Sequence, residues 1–318
     1  MIHFKIIDLI IAIFMTMGVF GNVNVIVAIV RKKVLRTKHG MLILFLSIAH
    51  LGCNISELID LLKHLQYIIV LSYRRCFKYG IIYSFFMDFQ FFLYLPIALD
   101  VFLSIVIPIK YKLWNKTCYI LAMLIFPIGL SVFYKIVSIY HPPESMSYCL
   151  NVLLPDPPQY TVLVDLIVFC NMTTIFIIIV SVFCAMRKSK SMHSSSSRSD
   201  KFEEENVKLF RSTFFIVVFH VGSWLLIIFA HVIHNSIQTY WISVYGPLIV
   251  VPNFCQTFYV TYFRSSKFRK AYQEQIHWMT CGKLFPNIFK TEESRVISTP
   301  NLENNDEDCD DTLNRGQI

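Results

Sequence analysis

The chain alternates long apolar runs with shorter polar segments, and this alternation predicts its architecture. A helix needs roughly 20 apolar residues to cross the hydrocarbon core of a bilayer, which is about 30 Å thick. Seven runs reach that length, and lipid offers their backbones no hydrogen-bond partner outside a helix. They cover residues 6–30, 40–62, 79–107, 119–139, 160–186, 210–233 and 240–263. We therefore predict an all-α integral membrane protein, a bundle of seven transmembrane helices.

The positions of the Lys and Arg side chains predict the orientation of the bundle. They cluster after the first, third, fifth and seventh runs, beginning with residues 31–38, whereas the other connecting segments hold few. Loops rich in Lys and Arg stay in the cytoplasm. We therefore predict a multi-pass protein of the cell membrane with its N-terminus outside and its C-terminus in the cytoplasm. The formal net charge of +8 reflects this topology, so we expect no nucleic-acid partner.

The segment after the seventh run divides into two parts. Residues 265–278 have the pattern of a short amphipathic helix, and the rest is polar, with acidic residues between positions 306 and 311. A stretch with much charge and little apolar surface does not fold alone. We therefore predict a membrane domain at residues 1–278 and a cytoplasmic, disordered acidic tail at residues 279–318.

The composition excludes several other classes of protein. Hydrophobic residues make up 55% of the chain and charged residues only 16%, and the mean hydropathy is +0.54, which is far too apolar for a soluble domain of this length. The nine Cys form no C-x-x-C pair, and no glycine-rich phosphate loop, H-E-x-x-H or G-x-S-x-G motif occurs. We therefore predict no enzyme activity, no cofactor and no metal site.

The third run ends in residues at fixed offsets. These are Asp100, Val101, Phe102, Pro108 and Tyr111. Cys76 opens the run 24 positions before Asp100, and Gly21-Asn22 lies within the first run. The seventh run is followed by Phe-Arg-Lys-Ala-Tyr at residues 268–272. Together these features resemble the rhodopsin-like G-protein-coupled receptors, in which the third helix ends in Asp-Arg-Tyr followed by Pro-x-x-Tyr.

Three short segments narrow the resemblance. Residues 20–24, 35–38 and 262–266 make the chain similar to the nematode chemosensory serpentine receptors of the Srsx class. The resemblance spans the seven runs but not the tail. It implies a rhodopsin-like fold, an unknown extracellular small-molecule ligand and activation of a heterotrimeric G protein. It also implies arrestin, a receptor kinase and membrane lipid as partners.

Two charged positions of the family pattern are changed in this chain. Val101 replaces the Arg that pairs with the neighbouring Asp, so we expect Asp100 either to be solvated or to contact a basic side chain. The candidates for that contact are Arg36, Lys38, Lys110 and Lys112. His50 stands where the family has an Asp in the second helix, and we expect it to hydrogen-bond to Asn22 or Asn54. The Asn-Pro of the seventh helix is also lost.

Cysteine positions suggest two modifications. Cys76 and Cys149 are both predicted to face the outside, where disulfides form, so we predict a bridge between them. The alternative is two free thiols. Cys281 follows the amphipathic stretch and is a candidate for palmitoylation.

The outer half of the bundle holds the candidate ligand contacts, because ionisable residues within a bilayer are usually functional. They are Tyr83, Met87, Asp88, Gln90, Tyr94, Lys135, Asp165 and His231. We predict a salt bridge between Lys135 and Asp165; the alternative for Lys135 is to snorkel toward the headgroups. Tyr83, 17 positions before Asp100, disfavours a biogenic amine, and the lack of Lys in the seventh run disfavours retinal. A small, fairly apolar ligand fits best, with a peptide as the alternative.

The opposite end of the bundle holds the candidate G-protein contacts. They are Asp100, Val101, Phe102, Pro108, Tyr111, Arg36 and Lys38. A neuropeptide receptor of the same fold is the nearest alternative function. A transporter would need a polar stripe along a pore, and an intramembrane enzyme would need a cluster of His, Cys or carboxylate side chains. The pattern shows neither feature.

Overall fold

The computed structural model describes residues 2–65, 73–140, 157–192, 212–226 and 240–280 of the 318-residue chain. These residues are helical apart from short connections. The elements are α1 (Ile2–Arg31), a 3₁₀ turn (Lys33–Leu35), α2 (Lys38–Leu65), α3 (Tyr73–Val106), α4 (Pro108–Leu113), α5 (Lys116–Tyr140), α6 (Pro157–Met192), α7 (Ser212–Leu226), α8 (Tyr240–Arg264) and α9 (Ser266–Met279).

The helices follow the predicted apolar runs. Five of them are long and apolar enough to cross a membrane, within the segments Ile6–Arg31, Lys38–Ile59, Gly80–Val106, Lys116–Val137 and Asp165–Arg187. A shorter apolar helix, α7, lies in the sixth run, and α8 coincides with the seventh. The amphipathic stretch forms α9. The predicted all-α bundle, with a short amphipathic helix after the seventh span, is thereby confirmed.

By its contacts the chain separates into two units, Met1–Tyr272 and Gln273–Ile318. The division into a membrane domain at residues 1–278 and an acidic tail at 279–318 stays a prediction, because residues 281–318 lie outside the described part of the chain.

Apolar side chains cover the outside of the bundle and polar side chains lie inside it, as expected of a protein in lipid. Large apolar side chains point outward, as Leu9 and Ile125 do with exposed fractions of 61% and 71%. Polar side chains such as Asn22, His50 and Asn54 are fully buried. Because lipid tails are as apolar as Leu, helix association in a membrane depends on close packing and on hydrogen bonds between helices. The interior polar groups therefore bear directly on stability.

The third helix is the centre of the bundle. It packs against α2, α5 and α6, while α1 packs against α2 and α8. The largest core cluster joins these helices through fully buried side chains, among them Leu46, Leu93, Tyr94 and Ile97. The position of α3 explains why most of the candidate site residues, which it carries, face the interior.

Two glycines allow neighbouring helices to approach closely. A Cβ atom on Gly21 of α1 would lie 2.8 Å from Cβ of Phe258 in α8. A Cβ atom on Gly52 of α2 would lie 2.3 Å from Cδ2 of Phe86 in α3. Both distances are shorter than non-bonded carbon atoms tolerate. These helix pairs therefore need glycine at the contact.

The first part of the amphipathic helix α9, up to Tyr272, packs against the end of α8. Tyr272 is fully buried, its ring centroid lies 4.7 Å from that of Phe258, and its hydroxyl lies 2.9 Å from Oγ1 of Thr261. Burial raises the pKa of Tyr272, so its hydroxyl stays protonated and able to donate. This contact ties Tyr272 to the end of α8.

Two local signals shape the end of the bundle at which residues 31–38, 106–116 and 264 meet, which we call the basic end. The hydroxyl of Thr37 accepts a hydrogen bond from the backbone N–H of Gly40 at 3.0 Å, which caps α2. Pro108 begins α4, where its missing N–H costs nothing. The cap and the proline place His39 and Tyr111 at the same level of the bundle as Asp100.

The close approach of α2 and α3 predicts the effect of a single methyl group. Gly52→Ala should destabilise the protein by about 1–3 kcal/mol, because Phe86 must move to admit the methyl group. The measurement is the apparent Tm of the detergent-purified chain. Gly129→Ala is the matched control: within the described part of the chain, no atom outside its own helix backbone lies within 4 Å of the added Cβ, so the Tm should hold or rise slightly. Equal Tm values for Gly52→Ala and the wild type would contradict the close contact.

Candidate functional site

The buried polar side chains of the bundle lie at three levels along α3. The levels centre on Asp100 at the basic end, on Tyr94 in the middle and on Asp88 toward the other end. All three residues are at least 95% buried. Polar groups in a membrane interior need partners, so each level shows which helices α3 holds together.

The carboxylate of Asp100 is enclosed by hydrogen-bond donors from three other elements. Nδ1 of His39 in α2 lies 2.9 Å from Oδ2 of Asp100. The hydroxyls of Tyr111 in α4 and Tyr119 in α5 donate to Oδ1 at 2.8 and 2.9 Å. The side chain of Asp100 is 1% exposed, so it is not solvated. Its hydrogen bonds come from His39, Tyr111 and Tyr119 rather than from the four basic residues predicted to contact it. The sequence-based prediction missed His39, whose imidazole bonds to the carboxylate.

His39 also connects this level to α7. A carboxylate only accepts hydrogen bonds, so Nδ1 of His39 carries the proton that faces Asp100. The other ring nitrogen, Nε2, lies 3.0 Å from Oγ1 of Thr213. One imidazole therefore joins α2 to α3 and to α7 at the same time. Val101, beside Asp100, is buried and does not take part.

The two basic residues predicted to face a G protein bond to backbone carbonyl groups. Lys38 donates to the carbonyl of Tyr111, and its Nζ lies 4.5 Å from the centre of that ring. Arg36 donates to the carbonyls of Ile29 and Val30 at the end of α1. Burial, with the nearby charge of Asp100, raises the pKa of Tyr111. Its hydroxyl therefore remains a donor to Asp100 at physiological pH.

The middle level is built around His50. Its Nδ1 lies 3.1 Å from Oγ1 of Thr257 in α8, and its Nε2 lies 3.4 Å from the hydroxyl of Tyr94. The predicted bond from His50 to Asn22 or Asn54 is wrong. Both Asn amides instead donate to the backbone carbonyl of Phe254, at 2.7 and 3.2 Å, because α1 and α2 both pack against α8.

The third level is a buried ion pair. Nζ of Lys135 in α5 lies 2.7 Å from Oδ2 of Asp88 in α3, and the two side chains are 13% and 8% exposed. The predicted bridge from Lys135 to Asp165 is wrong: α5 packs along α3, which places Lys135 against Asp88. Asp165, in α6, is exposed.

The other predicted ligand contacts divide between the described and undescribed residues. Tyr83, Met87, Gln90 and Tyr94 are all at least 91% buried on the inward side of α3. Cys149, His231 and Cys281 lie outside the described residues, as does the side chain of Cys76 in the first turn of α3. The disulfide, the palmitoylation and the role of His231 therefore stay predictions. Among the described residues, no three His, Cys, Asp or Glu side chains lie together as a metal site would require.

The roles of His39, Thr213 and His220 were not predicted from the sequence, although their spacing carries a signal. His39 and His50 are 11 residues apart in α2, which is close to three helical turns and places both on one face. Polar residues at that spacing within an apolar run indicate an interior face. Thr213 and His220 in α7 are seven residues apart, close to two helical turns, so they also share one face. Their partners are distant in sequence and could not be predicted.

Comparison with known families gives one match. The model for the serpentine type seven-transmembrane G-protein-coupled receptor chemoreceptors, Srsx, matches residues 15–276. The match includes all three polar levels. No curated protein sequence matches the chain.

The ion pair between α3 and α5 predicts a specific double-variant result. Lys135→Met should lower the free energy of unfolding by about 3 kcal/mol, because it leaves the buried Asp88 carboxylate without its counter-ion. Adding Asp88→Asn should restore most of the apparent Tm. Asp165→Asn, a change at an exposed carboxylate, is the control and should have no effect. The reverse ranking, with Asp165→Asn more damaging than Lys135→Met, would refute the pairing.

Proposed function

The chain belongs to the Srsx family of serpentine seven-transmembrane G-protein-coupled chemoreceptors, and we propose that it binds an extracellular small molecule and activates a heterotrimeric G protein. In this proposal it is a multi-pass protein of the cell membrane. The N-terminus faces outward and the basic end lies in the cytoplasm, in agreement with the excess of Lys and Arg there. Arrestin and a receptor kinase are proposed as partners on the same side.

The hydrogen-bonded level around Asp100 is the observation that carries the proposal. It joins α2, α3, α4, α5 and α7 at the end where a G protein would bind. A receptor signals when a ligand shifts the population from a closed bundle to an open one. Side-chain bonds between helix ends favour the closed bundle, so this level is suited to hold the unliganded receptor inactive.

The missing Arg of the family motif has a replacement in this scheme. Val101 cannot pair with Asp100, but His39 reaches the same carboxylate from α2 and contacts Thr213 of α7. We propose that His39 takes over the restraint that the Arg provides in the family pattern. Phe102, Pro108, Tyr111, Arg36 and Lys38 then form the surface that a G protein contacts when α7 moves.

The ligand site is proposed at the other end of the same helices. The inward face of α3 carries Tyr83, Met87, Gln90 and Tyr94. At the same level, the ion pair of Asp88 with Lys135 joins α3 to α5. Asp165 and His231 stay candidates for contacts nearer the mouth of the bundle. The mainly aromatic and aliphatic surroundings suit a small molecule.

The receptor function is tested by ligand-dependent signalling. Cells that display the full chain at their surface should change a second messenger in a dose-dependent way when they meet one compound of a panel of small volatile and water-soluble molecules. Cells that carry the empty vector are the control. Silence across the panel, with surface display demonstrated, would contradict the proposal.

The contact between His39 and Thr213 predicts a change that needs no ligand. Thr213→Val removes the hydroxyl at nearly constant volume and should raise basal G-protein nucleotide exchange by about 2- to 10-fold, the effect of losing a hydrogen bond worth roughly 0.5–1.5 kcal/mol. Thr173→Val is the matched control, because that hydroxyl is exposed and bonds only within its own helix. Equal basal exchange in both variants would show that the contact restrains nothing.

A further inference from the structure

The interior of the bundle contains polar atoms that lack partners, and they are concentrated in one place. Besides Oδ2 of Asp88, which is ion-paired with Lys135, the described part of the chain buries nine side-chain nitrogen or oxygen atoms without a hydrogen-bond partner, and six of these belong to five residues. They are Gln90, His220, Trp224, Asn253 and Gln256, which we call the unpaired cluster. Its members come from α3, α7 and α8. His220 contributes both of its ring nitrogens.

The cluster is arranged around two aromatic rings of α3. The His220 ring stacks on Tyr94 with 3.7 Å between centroids and lies 5.6 Å from Phe91. The Trp224 ring meets Phe91 edge-on at 4.3 Å. Gln256 donates from Nε2 to the hydroxyl of Tyr94 at 3.0 Å, which leaves its Oε1 unpaired. Gln90 lies four residues before Tyr94, on the same face of α3. Oδ1 of Asn253 lies 3.5 Å from Nε2 of Gln256.

His50 shows that the bundle pairs a buried imidazole elsewhere. Like His220 it is fully buried, yet both of its ring nitrogens have hydroxyl partners. An unpaired buried donor or acceptor carries its full desolvation penalty, so folded proteins keep few of them. Six in one region reduce stability, and such a cost is typical of a site whose partner is a ligand.

We propose that the unpaired cluster is the polar floor of the ligand site and that it selects a small, uncharged molecule carrying both a hydrogen-bond donor and an acceptor, such as a primary amide. This inference rests on the receptor function proposed above. The indole N–H of Trp224 and the amide N–H of Asn253 offer donors, and Oε1 of Gln90 and of Gln256 offer acceptors. His220 offers one of each. A primary amide has the complementary carbonyl and NH₂ groups.

The charges nearby argue against an ionic ligand. The carboxylate of Asp88 is already paired with Lys135, so it is not free to bind the ammonium group of a ligand. No member of the unpaired cluster is a carboxylate, a Lys or an Arg. A charged group brought into this interior would lose its hydration without gaining an ion-pair partner.

A matched series of six-carbon compounds tests the ligand class on the purified full-length chain. Hexanamide should raise the apparent Tm in a dose-dependent way, whereas hexylammonium and hexanoate at the same concentrations should not. Stabilisation by either ion above that of hexanamide would overturn the proposal. If none of the three compounds stabilises the chain, the proposal is overturned as well.

Two variants test the cluster itself without relying on signalling. His220→Phe and Trp224→Phe keep a ring in place but remove the unpaired atoms, so each should raise the Tm of the unliganded chain by about 2 °C. Each should also weaken hexanamide binding about tenfold, the effect of one lost hydrogen bond to a buried group. His50→Phe is the matched control and should lower the Tm, because the hydroxyls of Tyr94 and Thr257 both lose their bond to the imidazole.

The outcomes separate this inference from the receptor proposal. A drop in Tm for His220→Phe as large as that for His50→Phe would mean that the His220 nitrogens serve the fold, and the ligand class would fall. Raised basal exchange in Thr213→Val, together with no hexanamide binding, would leave the receptor function standing and overturn only the ligand class.

Discussion

A carboxylate buried in a bundle of apolar helices imposes the constraint on which the basic end of this protein depends. Asp100 has almost no contact with the surroundings of the bundle, so its charge is supported only by the groups around it. Those groups come from α2, α4 and α5, and losing any of them would leave a buried charge under-solvated. The capped start of α2 and the proline-led start of α4 serve this arrangement, because they bring His39 and Tyr111 to the carboxylate.

The three polar levels differ in how completely they are satisfied. At Asp100 and at His50 nearly every donor and acceptor has a partner on another helix, and at Asp88 a Lys supplies the opposite charge. Between the last two levels lies the cluster around Phe91, in which six atoms have none. Satisfied groups hold helices in one arrangement, whereas unsatisfied groups gain free energy when a new partner arrives. The bundle therefore combines a closed end with a region that is able to respond to a ligand.

The sequence predicted the helices well and the pairs between them poorly. Apolar length and the positions of Lys and Arg depend only on local composition, so the runs, the amphipathic helix and the family resemblance could be read directly. The partners of Lys135, His50 and Asp100 depend on which helices lie side by side and on their rotation. Lys135 illustrates the limit: Asp165 and Asp88 were both within reach by depth, and only the packing of α5 along α3 selects Asp88.

The two departures from the family pattern have a common physical meaning. The motif Arg beside Asp100 and the Asp of the second helix are both charged in the family, and here Val101 and His50 leave those positions without a fixed charge. His39 and His50 share one face of α2, where each imidazole bridges two other helices. An imidazole donates through one nitrogen and accepts through the other, so it joins helices without burying a further fixed charge. A bundle built in this way keeps its helices joined at these positions by hydrogen bonds instead of ion pairs. These hydrogen bonds are weaker than ion pairs, so less free energy is needed to break them when the bundle opens.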